Sequence, residues 1–426
     1  KGYRTDAEIA ADTARDPLPR LRAHLVPGFI SEKDWKKLEG EVSKDVSVAL
    51  AGARARPAPV PDKIKRFVYA ETPEPGDALA MGGLTRDEIS ALGGTETASE
   101  DGEMLRFADA VRRTLRVELE RNPKAIVFGE DVGVKGGVHL VTEGLQKSFG
   151  IARVFDTSLS EEGIIGRAVG MAIGGLMPVA EIQFRKYADP ATEQLNNCGT
   201  MRWRTANRFA APIVVRMPGG FGKDVGDPWH SLSAEVIFAH AIGWQVAMPS
   251  NSADAVGLLR AAMRGSNPTI FFEHRSQLMT SDGSARYPGD DYIVPFGRAK
   301  KLREGNDITV VTWGAMVHRC VAAAELFGEK VELLDLRTIA PWDRDAVLAS
   351  VAKTGRVLVV HEDTLTAGFG AEIAATIARE SFWSLDAPVD RLAVEDVPMP
   401  YHENLLSAVL PSAATIGERI EALLKA

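Results

Sequence analysis

Cysteine is nearly absent: Cys198 and Cys320 are the only two in 426 residues and lie far apart. That spacing excludes a disulfide framework or a cysteine-based zinc site, and a reducing compartment is expected. No apolar run approaches the length of a membrane span, so no membrane partner is expected. Positive charge is not in excess. Lys and Arg total 50 against 58 Asp and Glu, a net charge of -8, which argues against a nucleic-acid surface. The first residues, KGYRTDAEIA, lack both an initiator Met and a signal-type apolar core. We therefore expect a cytoplasmic protein, and a chain that starts inside a longer gene product. What is present is an ordinary globular mixture, 45% hydrophobic and 25% charged. The length predicts two or three domains.

Residues 1–70 read as helical. Pro17 opens a turn before Leu21 and Leu25, and Ser31 is a good N-cap for SEKDWKKLEGEVSKDVSVALAGA. Trp35, Leu38, Val42 and Val46 form one stripe, expected to pack on another body. Residues 71–103, rich in Pro, Gly, Thr and acid, read as a mobile or loosely attached linker. From Met104 short β-rich runs alternate with helical stretches: AIVFGED, VAEIQF, PIVVRMP, WQVAMPS and TIFFEHR, then ITVVTWG, VELLDLRTI and RVLVVHED. This predicts two α/β domains with parallel or mixed sheets, over 104–285 and 305–426, joined by a linker at 286–304. Ligands of such sheets sit at the carboxyl ends of the strands.

The strand ends carry the candidates. Glu130 and Asp131 follow AIVFG, where a metal-binding or solvated acidic turn is the plain alternative. Gln183, Phe184 and Tyr187 follow another strand, with core aromatics as the alternative. The loop GGFGKDVGDPWHS is not a Walker motif: Met217 stands where the first Gly belongs and Asp224 where Ser or Thr belongs. It lacks the third glycine of a dinucleotide fingerprint as well. His230 at its end is well placed to meet a ligand. His361, Glu362 and Asp363 end another strand, but no matching metal-ligand set stands elsewhere. In DTSLSEEGIIGRAVGMAIGG, Glu161 and Glu162 read on residue type alone as helix-start acids.

Taken together, GEDVG, FDTSLSEEGIIGRAVGMAIGGLMPVAEIQF, GDPWHSLSAEVIFAH, NPTIFFE, VVTWGAMVH, LLDLRTIAPWD and VVHEDTLTAGFGAEIA resemble one family. It is the beta chain of the thiamine diphosphate-dependent dehydrogenase component of 2-oxo acid dehydrogenase complexes. The resemblance runs from Met104 to the C-terminus. GYRTDAEIAADTARDPLPRLRAHL is similar to the C-terminal tail of the alpha chain, so an alpha–beta fusion is expected. AEIQF and HEDTLTAGFG look closer to branched-chain members than to pyruvate or acetoin members. A non-catalytic docking subunit is the reading from a different class, and it would require none of the site residues. A transketolase or deoxyxylulose-phosphate synthase would want basic residues for a sugar phosphate.

The resemblance implies a transketolase-like architecture, with a pyrimidine-binding domain and a C-terminal domain. It implies thiamine diphosphate as cofactor, with Mg²⁺ and the diphosphate held by the alpha part; the Gly-Asp-Gly…Asn motif for that is not found here. Glu161 matches the glutamate that activates the cofactor by exchanging a proton with its pyrimidine nitrogen. The small residues behind Glu161 are expected to pack the helix on the sheet and keep its pocket dry. Glu130 matches a nearby carboxylate, Gln183 a polar neighbour, and Phe184 and Tyr187 the wall beside the pyrimidine ring. His230 matches an active-site histidine near the reacting carbon. Branched-chain members often hold K⁺ beside the position of Asn267. Here Gly265 replaces the acid expected two places earlier, leaving backbone carbonyls. The implied partners are the alpha part and the dihydrolipoyl acyltransferase core with its lipoyl domain, in an alpha2beta2 tetramer or a fused homodimer.

Overall fold

The computed structural model describes residues 3–426 except positions 59, 73, 76, 223, 224 and 279. Lys223 and Asp224 of the glycine-rich loop therefore lie outside the described residues. The chain divides into two compact units, Lys1–Lys65 and Arg66–Ala426.

The first unit is helical, with helices Asp6–Ala14, Pro17–Leu25 and Glu32–Arg54. Each start follows from its capping residue. Thr5 and Glu8 form a capping box, Asp16 precedes Pro17, and the Ser31 side chain accepts the Asp34 N–H. Trp35 is the one buried residue of the long helix. Leu38, Val42 and Val46 stay 47%, 53% and 62% exposed, so short helices alone bury little, as expected.

The second unit holds two sheets. Among the described residues, one runs Thr338–Ala340, Gln245–Ala247, Thr269–His274, Val214–Gly219, Met177–Glu181, Ala125–Gly129 and Val154–Asp156, in spatial order. All of its pairings are parallel except the edge pair formed by Thr338–Ala340. The other runs Asp390–Val394, Val357–Thr364, Ile308–Thr312, Val331–Asp335 and Lys300–Arg303. Strand Lys300–Arg303 is antiparallel to its neighbour and lies in the stretch read as a second linker. The continuous apolar runs are explained by burial on both faces: all five residues of Ala125–Gly129 and of Ile308–Thr312 are buried. Helix Phe107–Arg121 lays Phe107, Val111, Leu115 and Leu119 on the outer face of the first sheet at helical spacing. One apolar core continues from Ile165, Trp244 and Phe272 into Trp313, Leu334 and Phe369. The two sheets are thus joined by a shared core and by the edge strand Thr338–Ala340.

The stretch read as a loosely attached linker is held to the domain from Met81 onward. Met81 N–H donates to Arg208 O, and Ala210 N–H to Met81 O, both at 2.9 Å. A side chain at Gly82, with φ +118°, would meet Ala210 O at 2.0 Å, so only glycine fits there. Thr85 caps helix Arg86–Leu92, and Arg264 closes its other end on the carbonyls of Leu92 and Gly93, at 2.9 and 3.0 Å. Thr95 then pairs with the 291–293 backbone. The composition that signalled mobility in fact signals irregular backbone whose polar groups are satisfied by the domain surface.

Candidate active site

Helix Glu161–Ile173 begins after Ser160, whose hydroxyl donates to Glu162 Oε1 at 3.0 Å. Glu162 therefore serves the helix start. Glu161, partly exposed, has no hydrogen-bond partner among the described residues. The buried face of this helix is Ile164, Ile165, Ala168 and Ala172. Gly163, Gly166 and Gly170 are exposed, and a side-chain carbon at Gly170 would meet nothing within 4 Å. The expectation that these small residues pack on the sheet is corrected: the β-branched and alanine positions do so, and the glycines face outward.

Glu130 stands one residue past its strand. Burial holds its carboxyl above the usual range, with the nearby charges of Glu161 and then Asp131 adding to the effect. Asp131 has φ +58°, tolerated by aspartate, and pairs with Lys135 at 2.8 Å. Gln183 Nε2 donates to Asp131 Oδ2 at 3.3 Å and lies 3.5 Å from Glu130 O. The next residue, Phe184, sits edge-on to three rings: His230 at 4.4 Å, Tyr187 at 5.6 Å and His139 at 5.7 Å. The Tyr187 hydroxyl is 2.8 Å from His230 Nε2. Phe184, Tyr187 and His230 thus pack together, the adjacent Gln183 reaches the Glu130–Asp131 turn, and Glu161 lies close enough to act on the Glu130 carboxyl.

Three neighbours of this set were not among the sequence candidates. Asp227 Oδ1 lies 3.0 Å from His230 Nδ1 and accepts the backbone N–H groups of Trp229 and His230 at 2.9 and 2.7 Å. An Asp at the head of DPWH is a turn-forming signal that could have flagged it. The Arg275 guanidinium lies 5.4 Å from the Phe184 ring centre. His139 is held neutral, with its pKa lowered to about 4 by burial and then by the charges of Arg275 and Arg216.

Behind the site the strands are braced by buried ions. Arg216 binds Glu273 at 2.7 and 2.9 Å and Glu181 at 2.9 Å, all on central strands. His274 Nε2 contacts both oxygens of Glu362 at 2.8 and 2.9 Å. Gly220, φ +75°, lets the loop pass this pair, since a side-chain carbon would come within 2.1 Å of His274 Nε2. His361 stacks on Trp313 at 5.3 Å, and Glu362 is engaged with His274, so these two do not converge as ligands. Among the described residues no cluster of His, Cys, Asp and Glu is arranged to hold a metal ion. Asn267 Oδ1 accepts Ala70 N–H at 2.6 Å. No helix of the described residues is long and apolar enough to cross a membrane.

Residues 103–280 match the transketolase pyrimidine-binding domain, and residues 297–416 the transketolase C-terminal domain. The Bacillus subtilis 2-oxoisovalerate dehydrogenase subunit beta is 43% identical over 303 residues, covering 70% of this chain and 92% of the relative. The Pseudomonas aeruginosa 2-oxoisovalerate dehydrogenase subunit beta is 41% identical, covering 72% and 91%. The Bacillus subtilis pyruvate dehydrogenase E1 component subunit beta is also 41% identical, covering 69% and 91%. Among solved structures, a split-gene transketolase, an inactive beta4 tetramer, shares the fold with a TM-score of 0.63 at 22% identity, covering 75% of this chain and 99% of that one. With both domains matched in order and identity above 40% to several such subunits, this chain belongs to the family of 2-oxo acid dehydrogenase beta subunits.

Proposed function

We propose that this chain supplies the beta-side half of a thiamine diphosphate-dependent active site that oxidatively decarboxylates a 2-oxo acid and passes the acyl group to a lipoyl domain. One observation carries the reading: the Glu161 carboxylate is left without a hydrogen-bond partner among the described residues, close enough to Glu130 to raise its carboxyl, while Phe184, Tyr187 and His230 form an aromatic cluster one residue past Gln183. These residues fit the aminopyrimidine half of the cofactor, because an uncommitted carboxylate and an aromatic wall are what that ring requires. When bound, the cofactor supplies a carbon nucleophile at its thiazolium ring. Glu161 exchanges a proton at its carboxylate with the pyrimidine nitrogen. Phe184 and Tyr187 orient the ring, and Glu130 and Gln183 line the approach. His230 moves a proton at Nε2 near the reacting carbon.

The diphosphate and Mg²⁺ belong, in this reading, to an alpha part, and the acyltransferase core is the further partner. The assembly is an alpha2beta2 tetramer or a fused homodimer, with the helices of the first unit as an alpha-chain tail. A K⁺ ion beside Asn267 would draw chiefly on backbone carbonyls, because position 265 is glycine and Asn267 Oδ1 already accepts Ala70 N–H. AEIQF and HEDTLTAGFG support a branched-chain substrate, and pyruvate is the competing outcome. The test compares 2-oxoisovalerate with pyruvate, using the full-length protein and an artificial electron acceptor. Faster turnover of 2-oxoisovalerate is expected, and only with an alpha part present. Turnover by this chain alone would overturn the half-site reading.

A further inference from the structure

We infer that Asp227 is a positioning residue that fixes His230 as the Nδ1–H tautomer and so leaves Nε2 as the working atom. The inference rests on the proposed function only for what the working atom does; the tautomer follows from geometry. Asp227 is buried, 8% exposed. Its Oδ1 takes the backbone N–H groups of Trp229 and His230 together with His230 Nδ1 at 3.0 Å. Burial raises its pKa, but those N–H bonds, with the charges of His230 and Arg275, outweigh burial and keep the carboxyl below its ordinary range. Arg275 Nη1 lies 3.9 Å from Asp227 Oδ2 and donates to Ser231 Oγ at 3.0 Å. Ser231 Oγ in turn accepts the Asp227 N–H at 3.0 Å.

An ionised carboxylate has no proton to give, so the proton of the Asp227–His230 bond sits on Nδ1. In the neutral ring Nε2 is then an acceptor, and the Tyr187 hydroxyl at 2.8 Å donates to it. Phe184, 4.4 Å away and edge-on, limits rotation of the ring. When Nε2 takes up a proton, it donates to Tyr187 Oη instead of accepting from it. The Tyr187 hydroxyl proton is then free to turn toward a ligand. One proton arrives at Nε2 and one hydrogen bond reverses; no other bond changes.

The test is nitrogen NMR of the full chain labelled with 15N-histidine, with His230 assigned by its loss in His230→Gln. A protonated Nδ1 is expected, and a dominant Nε2–H form in the wild-type protein would overturn the assignment. Asp227→Asn keeps an oxygen for the two backbone N–H bonds but removes the charge. It should raise the Nε2–H population and lower turnover by at least about tenfold at unchanged KM, part of what a positioned acid–base group contributes. An unaltered tautomer together with unaltered turnover would also overturn it. If that variant fails to fold, the wild-type spectrum decides alone. An Nδ1–H His230 in a chain that, with its alpha part, turns over no 2-oxo acid would sink the functional reading and uphold the tautomer.

Discussion

Two sets of carboxylates stand close together at the ends of adjacent strands, and they differ in one respect. Gly129 and Glu181 are directly paired in the sheet register. Glu181 and, farther along the sheet, Glu273 share the guanidinium of the wholly buried Arg216. Glu130, one step beyond Gly129, and its neighbour Glu161 face one another's charge instead, and Glu130 is pushed above the usual carboxylate range. Buried acids with a matched cation are braces; partly exposed acids left with only like charge are held ready for a ligand. The same residue type is therefore committed or left available according to its partner.

The largest effect that would test this contrast is expected from Glu161→Gln. Turnover should fall about 10²–10⁴-fold while the melting temperature holds, since Glu161 makes no hydrogen bond among the described residues. Near-normal turnover would remove Glu161 from its role. Arg216→Met should do the reverse to the brace. Leaving two buried carboxylates without their cation should cost about 3–5 kcal/mol in denaturant unfolding, and an unchanged midpoint would erase the distinction.

Glu235 offers an intermediate case, a buried acid whose partner is the neutral donor Trp313 Nε1 at 2.8 Å. Burial, then the charge of Asp363, raise its pKa from 4.5 to about 8. The folded chain then binds more protons than the unfolded one between those values, so stability falls as pH rises through that window. Glu235→Gln should flatten this slope in melting temperatures taken on either side of it; an unchanged slope would assign the dependence elsewhere. The smallest effect concerns Glu130. In Glu161→Gln its titration, followed by carboxyl carbon NMR, should move down toward the ordinary range, and no movement would break the coupling between the two acids.

The alternation of buried runs with helices was legible in the chain, as were the proline start at Pro17 and the cap at Ser31, because each depends on neighbours a few residues away. The site candidates were legible as strand-end residues and through the family's motifs. Asp227 and Arg275 were not, since their meaning lies in contacts with His230 and Phe184 that span the fold. The linker was misjudged for the same reason. Its composition predicts irregular backbone, but Arg208, Ala210 and Arg264, which hold it, are more than a hundred positions away.

Local chemistry within the sequence by itself determined the helices, the strands and the ends at which a ligand would sit, because propensity, capping and periodicity act over short range. Which carboxylate became a brace and which stayed uncommitted was decided only by the tertiary structure. A charge's role depends on burial and on the partner across from it, and folding sets both.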